Sequence, residues 1–144
     1  MTILKCNLVF ILLFVMLSRG FSQTIQTVDS LQTHYLGCLD EGSNMTACAK
    51  DFYTKMDSLL NVVYNKLQST LNEPEKAALR KDQAVWLLKR DMYFKETALQ
   101  LQKNNQQKST IKKTGQDNAI MMYDANASFL KQRLIVLLKK STRK

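Results

Sequence analysis

Glycine and proline are nearly missing: the 144 residues include four Gly and one Pro. This excludes a collagen-like repeat, a Pro-rich linker protein and a turn-dense β-sandwich. Histidine occurs once, as His34, and there is no Gly-rich phosphate loop. Little material is left for most catalytic sites. Acidic residues are also in the minority, with 12 Asp and Glu against 21 Lys and Arg and a net charge of +9. No internal repeat and no β-type alternation is present, so helical periodicity is the organising pattern. The length suits one domain with one ordinary core.

There is one long apolar run, Leu8 to Leu17, preceded by Lys5 and followed by Ser18, Gly20 and Ser22. That order is the signature of a secretory signal peptide. The run is about ten residues, whereas a bilayer span takes roughly 20. An uncleaved signal anchor is the alternative. Cleavage after Ser22 puts small residues at both recognition positions, and cleavage after Gly20 is the second choice. The expected organisation is a signal segment over residues 1–22 and a single helical domain over 23–144. The mature chain is then not membrane-spanning, and it is periplasmic or secreted. Cys6 precedes the apolar run, whereas a lipidated bacterial Cys would follow it, so no lipid anchor is expected. Lys5 and Arg19 leave with the signal, which takes the net charge from +9 to +7.

Cys38 and Cys48 remain. An even count in an exported chain reads as a disulfide. Closing so short a loop constrains the unfolded chain by about 3 kcal/mol in the loop-entropy picture. Two free buried thiols are the alternative. Two Cys and one distant His fall short of a four-ligand metal site.

Residues 24–37 carry a weak helical pattern through Ile25, Val28, Leu31 and Tyr35, which predicts a short or frayed helix. Asp40-Glu41-Gly42-Ser43-Asn44 is turn chemistry. Ser43 or Asn44 can cap the first strong helix. Its stripe is Met45, Cys48, Phe52, Met56, Leu59, Val63, Leu67 and Leu71, at three- and four-residue steps. Asn72-Glu73-Pro74 ends it and opens a second helix, expected over 74–103, with Glu73 and Glu75 at its positive end. The second stripe is Leu79, Gln83, Trp86, Arg90, Phe94 and Leu101. Two polar groups on a core stripe need partners, because an unpaired buried charge is costly. Residues 103–116 read as a polar loop. The last helix starts near Asp117 or Asn118, with Ile120, Tyr123, Ala127, Leu130, Leu134 and Leu137 on one side. The expected fold is all-α: a three-helix bundle with an N-terminal disulfide-pinned segment.

Candidate chemistry is sparse. His34 lacks a nucleophile and an orienting group nearby in sequence. Asp40-Glu41, Asp51 with Asp57, and Glu73 with Glu75 are the carboxylate pairs, each with a turn, surface or capping role. The chain is read as a non-enzyme with no cofactor and no metal. Its basic balance could serve a polyanion, but no nucleic-acid motif is present, and export removes cytosolic DNA. Anionic wall polymer or lipid is the polyanion available outside the cytoplasm. Leu130 to Lys144 could lie on a membrane surface, although a bundle helix carries the same stripe. Asn44-Met45-Thr46 and Asn126-Ala127-Ser128 match the glycosylation sequon, a pattern common by chance. Arg90 reads as a half-buried guanidinium bonded to Gln83, to Asp91 or to a carbonyl of another helix. A partner-binding role beside Trp86 is the alternative.

Several residues together carry a family resemblance. They are Ala47-Cys48-Ala49, Tyr53, Asp57, Leu60-Asn61, Tyr64, Leu79, Gln83, Trp86, Arg90-Asp91 and, more weakly, Tyr123 to Arg133. In this respect the chain resembles the secreted bacterial proteins typified by the LprI lysozyme inhibitor, over roughly residues 36–138. The Gln-x-x-Trp-x-x-x-Arg-Asp cluster is the specific part. Members commonly carry a further Cys pair where Phe94 and Ala125 stand here, and Phe94 is expected to pack over Ala125 in its place. The resemblance implies an exported helical domain that inhibits lysozyme or another cell-wall hydrolase by binding. Animal-type lysozymes are strongly basic, so a basic inhibitor needs a local acidic patch to dock. Asp40 and Glu41 are the expected partner-binding residues.

Overall fold

The computed structural model describes residues 25–107 and 115–142. The expected signal segment, its cleavage site and Cys6 lie outside them. The described residues form four helices in chain order: α1 (Ile25–Asp40), α2 (Met45–Thr70), α3 (Glu73–Gln107) and α4 (Gly115–Ser141). The expected three helices are therefore four. The disulfide-pinned segment is itself a full helix that runs to Asp40, past the expected end at residue 37. Its weak pattern reflects how little it buries: Val28 and Tyr35 alone are fully inside. Packing on α2, rather than its own periodicity, holds it helical.

The expected polar loop is helical at both of its ends. α3 continues through Gln107 and α4 begins at Gly115. Lys and Gln are good helix formers, so a polar segment extends a helix without burying anything.

Local signals account for the joints. Asn72 Oδ1 accepts from the Glu75 amide at 3.0 Å, and Glu75 Oε2 accepts from the Asn72 amide at 3.1 Å. This reciprocal capping box opens α3. Asn44 occupies the cap position of α2 in the left-handed conformation (φ 59°), without a side-chain cap bond. The expected side-chain cap is thus replaced by backbone geometry that Asn tolerates, with the Asn44 carbonyl accepting from Ala47 N at 2.8 Å. Gly42, at φ 69°, supplies the other left-handed residue of the turn.

The core lies between α2 and α4. Phe52, Met56, Leu60, Val63 and Leu67 of α2 face Ala127, Leu130, Leu134 and Leu137 of α4, all nearly or fully buried. Burial of the Leu130–Leu138 stripe settles α4 as a bundle helix. α3 packs mainly on α4 and buries only Leu79 among its apolar residues, together with Gln83. No helix among the described residues is long and apolar enough to cross a membrane.

Candidate functional site

Two places collect the residues singled out in the sequence. The first is the α1–α2 turn. Cys38 and Cys48 form a disulfide with a Cα–Cα distance of 5.9 Å. It ties the last turn of α1 to the first turn of α2, which leaves Asp40 and Glu41 exposed at the apex. The turn is closed by Gly42 N donating to Leu39 O at 3.0 Å. Beside it lies a cleft of about 290 Å³, lined by His34, Tyr35, Glu41, Asp51, Phe52 and Lys55 among others. Asp51 pairs with Lys55 at 2.7 Å. Asp40 and Glu41 are thus the acidic charge that the turn offers outward, on a chain that is basic as a whole. The floor is firm: Tyr35 stacks on Phe52 with centroids 4.5 Å apart. Burial pushes the Tyr35 hydroxyl up to about 12, and the Asp124 carboxylate adds to the effect.

The second place is the seam between α3 and α4. Arg133 is 7% exposed and Gln83 8% exposed. Arg133 Nε and Nη2 donate to Gln83 Oε1 at 3.0 and 2.7 Å. Nη2 also reaches Asp82 Oδ2 at 3.1 Å, which Lys140 contacts at 2.9 Å. The Lys140 hydrogen bond, with Arg133 beside it, holds the Asp82 carboxyl below its usual range. The guanidinium carbon of Arg133 sits 5.5 Å from the Trp86 ring centre, within cation–π range. The buried polar residue on the α3 stripe thus finds its partner on α4. Arg90 does not bond Gln83. It donates to Asp91 at 2.9 and 2.7 Å and stands 5.9 Å from both Trp86 and Phe94.

Around this seam the aromatic rings interlock. Phe94 meets Tyr53 at 6.1 Å and Phe129 at 6.3 Å, edge to face. Phe129 stacks on Tyr93 at 4.5 Å. Ala125, half-buried, lies one turn before Phe129 on α4. Tyr53 also meets Tyr123 at 5.8 Å. Its hydroxyl is raised by burial first and by the Asp57 carboxylate second. Asp57 in turn accepts from Asn61 at 3.4 Å. Tyr64 is half-buried against the core.

Tyr53, Gln83, Trp86, Arg90, Asp91 and Arg133 therefore share one neighbourhood, and every contact there is internal. The arrangement fastens α3 to the bundle. Asp40 and Glu41 stand apart from it, at the α1–α2 turn. Sequence reasoning missed Asp82, Lys140, Tyr93 and Phe129 as members of the seam. Asp82 beside Gln83 was the available signal, because a guanidinium on a facing helix takes neighbouring acceptors. Asn126 of the second sequon is buried, 7% exposed, in the middle of α4. Among the described residues no cluster of His, Cys, Asp and Glu could hold a metal ion.

No curated protein and no solved structure matches the chain. Residues 38–137 match the family described as Lysozyme inhibitor LprI, from the first disulfide cysteine to the last buried turn of α4. With most of its length matched, the chain belongs to the LprI lysozyme inhibitor family.

Proposed function

We propose that this protein is an exported, non-enzymatic inhibitor that binds a lysozyme-type cell-wall hydrolase stoichiometrically through the Asp40–Glu41 turn. Residues 1–22 act as the signal, and residues 23–144 are the single periplasmic or secreted domain. The observation that carries this reading is the exposed acidic apex held by the Cys38–Cys48 disulfide. A basic enzyme approaching a mature domain of net charge +7 is repelled on average. Docking then depends on a local patch of opposite sign, and the apex provides one. Pinning the turn before contact lowers the ordering cost of binding. Family membership supports an inhibitory role, while fold alone would not fix the target.

The test is a titration of the disulfide-bonded protein into lysozyme assays on bacterial cell walls, with several lysozymes and two salt concentrations. Saturable, near-stoichiometric inhibition is expected, and Asp40→Lys with Glu41→Lys abolishes it. Unchanged potency in that variant refutes the turn as the contact. If the unmodified protein does not inhibit and instead binds the walls with steep salt dependence, the function moves to anionic wall polymer.

A further inference from the structure

The outward face of α3 is unpartnered and patterned. Ala78, Val85, Met92 and Leu99 recur every seven residues, with Lys81, Leu88 and Lys95 interposed at three- and four-residue steps. That spacing puts all seven on one stripe. The side of α3 that faces α4 is occupied by Leu79, Gln83, Trp86 and Phe94, so the stripe points away from the bundle. Its large apolar members are open to solvent: Val85 49%, Leu88 67%, Met92 63% and Leu99 45% exposed. Scattered exposed apolar residues are ordinary, but an aligned row of four is not.

The charges beside the row select its occupant. Residues 78–103 contain Arg80, Lys81, Lys89, Arg90, Lys95 and Lys103 against Asp82, Asp91 and Glu96. Asp82 is taken by Arg133 and Lys140, and Asp91 by Arg90. Lys81, Lys89 and Lys95 have no ion-pair partner among the described residues. Glu96 is the remaining acid at the border. The face is therefore apolar along its middle and cationic along its length.

A second copy of the chain fits this face badly. In an antiparallel pair centred on Leu88, Lys81 meets Lys95 of the other copy. In a parallel pair each lysine meets its own counterpart. A basic enzyme is repelled by the same lysines. A soluble anionic polymer satisfies the lysines but offers nothing to the apolar row. An anionic bilayer surface offers both: phosphate at the headgroups and hydrocarbon just beneath. Lysine stems can lie along the apolar boundary while their ammonium groups reach the phosphates. We propose that the Val85–Leu88–Met92–Leu99 face of α3 docks flat on anionic lipid bilayers, with Lys81, Lys89 and Lys95 on the headgroups. This surface is separate from the Asp40–Glu41 apex and does not depend on the inhibitor reading.

The experiment uses the protein as recovered from an expressing bacterium, its N-terminus read by mass spectrometry. It is floated with vesicles of phosphatidylglycerol and phosphatidylcholine, and with vesicles of phosphatidylcholine alone. Binding to the anionic vesicles alone, weakened by salt, is expected. Leu88→Glu with Met92→Glu, and separately Lys81→Glu with Lys95→Glu, should each weaken binding about ten-fold or more. All four positions are at the surface, and circular dichroism checks that both variants stay helical. Equal binding by the parent and both variants overturns the proposal, as does failure of the parent to bind anionic vesicles at low salt. A solution mass of two chains that falls to one in Leu88→Glu with Met92→Glu also overturns it, in favour of a second copy. Binding to soluble polyphosphate but not to vesicles overturns it in favour of a polymer.

Discussion

Arg133 and Gln83 meet across the α3–α4 seam, fifty residues apart in sequence, with two nitrogens of the guanidinium on one amide oxygen at 3.0 and 2.7 Å. Both side chains are buried. Hydrogen bonds to a charged group contribute about 1.5–3 kcal/mol, and removing one partner leaves the other desolvated and unpaired. Gln83→Ala should therefore lower stability by about 2 kcal/mol, read as a fall in the urea midpoint at unchanged slope. Arg133→Met should cost a similar amount, because it also strips a cation from Trp86 and Asp82. The double variant Gln83→Leu/Arg133→Met should be less destabilised than the two single changes combined, since neither partner is then left alone. Strict additivity would mean that the pair is not coupled.

The disulfide acts on a short loop, ten residues in separation. Cys38→Ser with Cys48→Ser should lower stability by about 2–4 kcal/mol. α1 should suffer most, because it buries few residues of its own. Hydrogen exchange across residues 25–40 separates this outcome from a uniform loss: only α1 amides should become markedly faster.

Asp82 gives the acid side of the pH profile a specific origin. Its carboxyl is held low by Lys140 first and by Arg133 as well. A lowered carboxylate contributes stability that is present above the unfolded value of about 3.9 and lost as pH falls through the folded one. Asp82→Asn should flatten the dependence of melting temperature on pH below about pH 4. The Asp82 side chain is 45% exposed, so added salt should shrink the difference. An identical acid profile in Asp82→Asn would assign the effect to other carboxylates.

Tyr35 sets the alkaline side. Its hydroxyl is raised to about 12 by burial first and then by Asp124. A raised value means that its contribution is full below about pH 10 and is lost as pH climbs through the folded value. Ultraviolet titration should show a late ionisation step near pH 12. Tyr35→Phe should remove that late step. Its persistence in Tyr35→Phe would move it to another tyrosine.

The strong stripe of α2 and the apolar row of α4 could be read from spacing because each buries a continuous face against the other. The two cysteines could be paired because the segment before them reads as an export signal, and an even count in such a chain leaves few alternatives. α1 was half legible: two buried positions in sixteen residues leave little periodicity to detect. The boundary at residue 103 failed because Lys, Asn and Gln punctuate a helix only weakly. Gln83 announced itself as a polar group on an apolar stripe. Its partner did not, because the choice among cations on a facing helix depends on register across the α3–α4 seam. Arg90 was legible to the extent that Asp91 stood among its expected partners; Asp91 took the hydrogen bonds, leaving Gln83 for Arg133. The apex acids were visible as turn residues, whereas the outward row of α3 was hidden by reading that helix for its buried side.

α4 touches each of the other three described helices and follows them in chain order. Leu130, Leu134, Leu137 and Leu138 supply four of the sixteen buried apolar side chains among the described residues. Without them the α1–α2 hairpin has its apolar side open, and α3 loses its main partner. The core therefore closes only once α4 has joined, whichever of the other helices forms first.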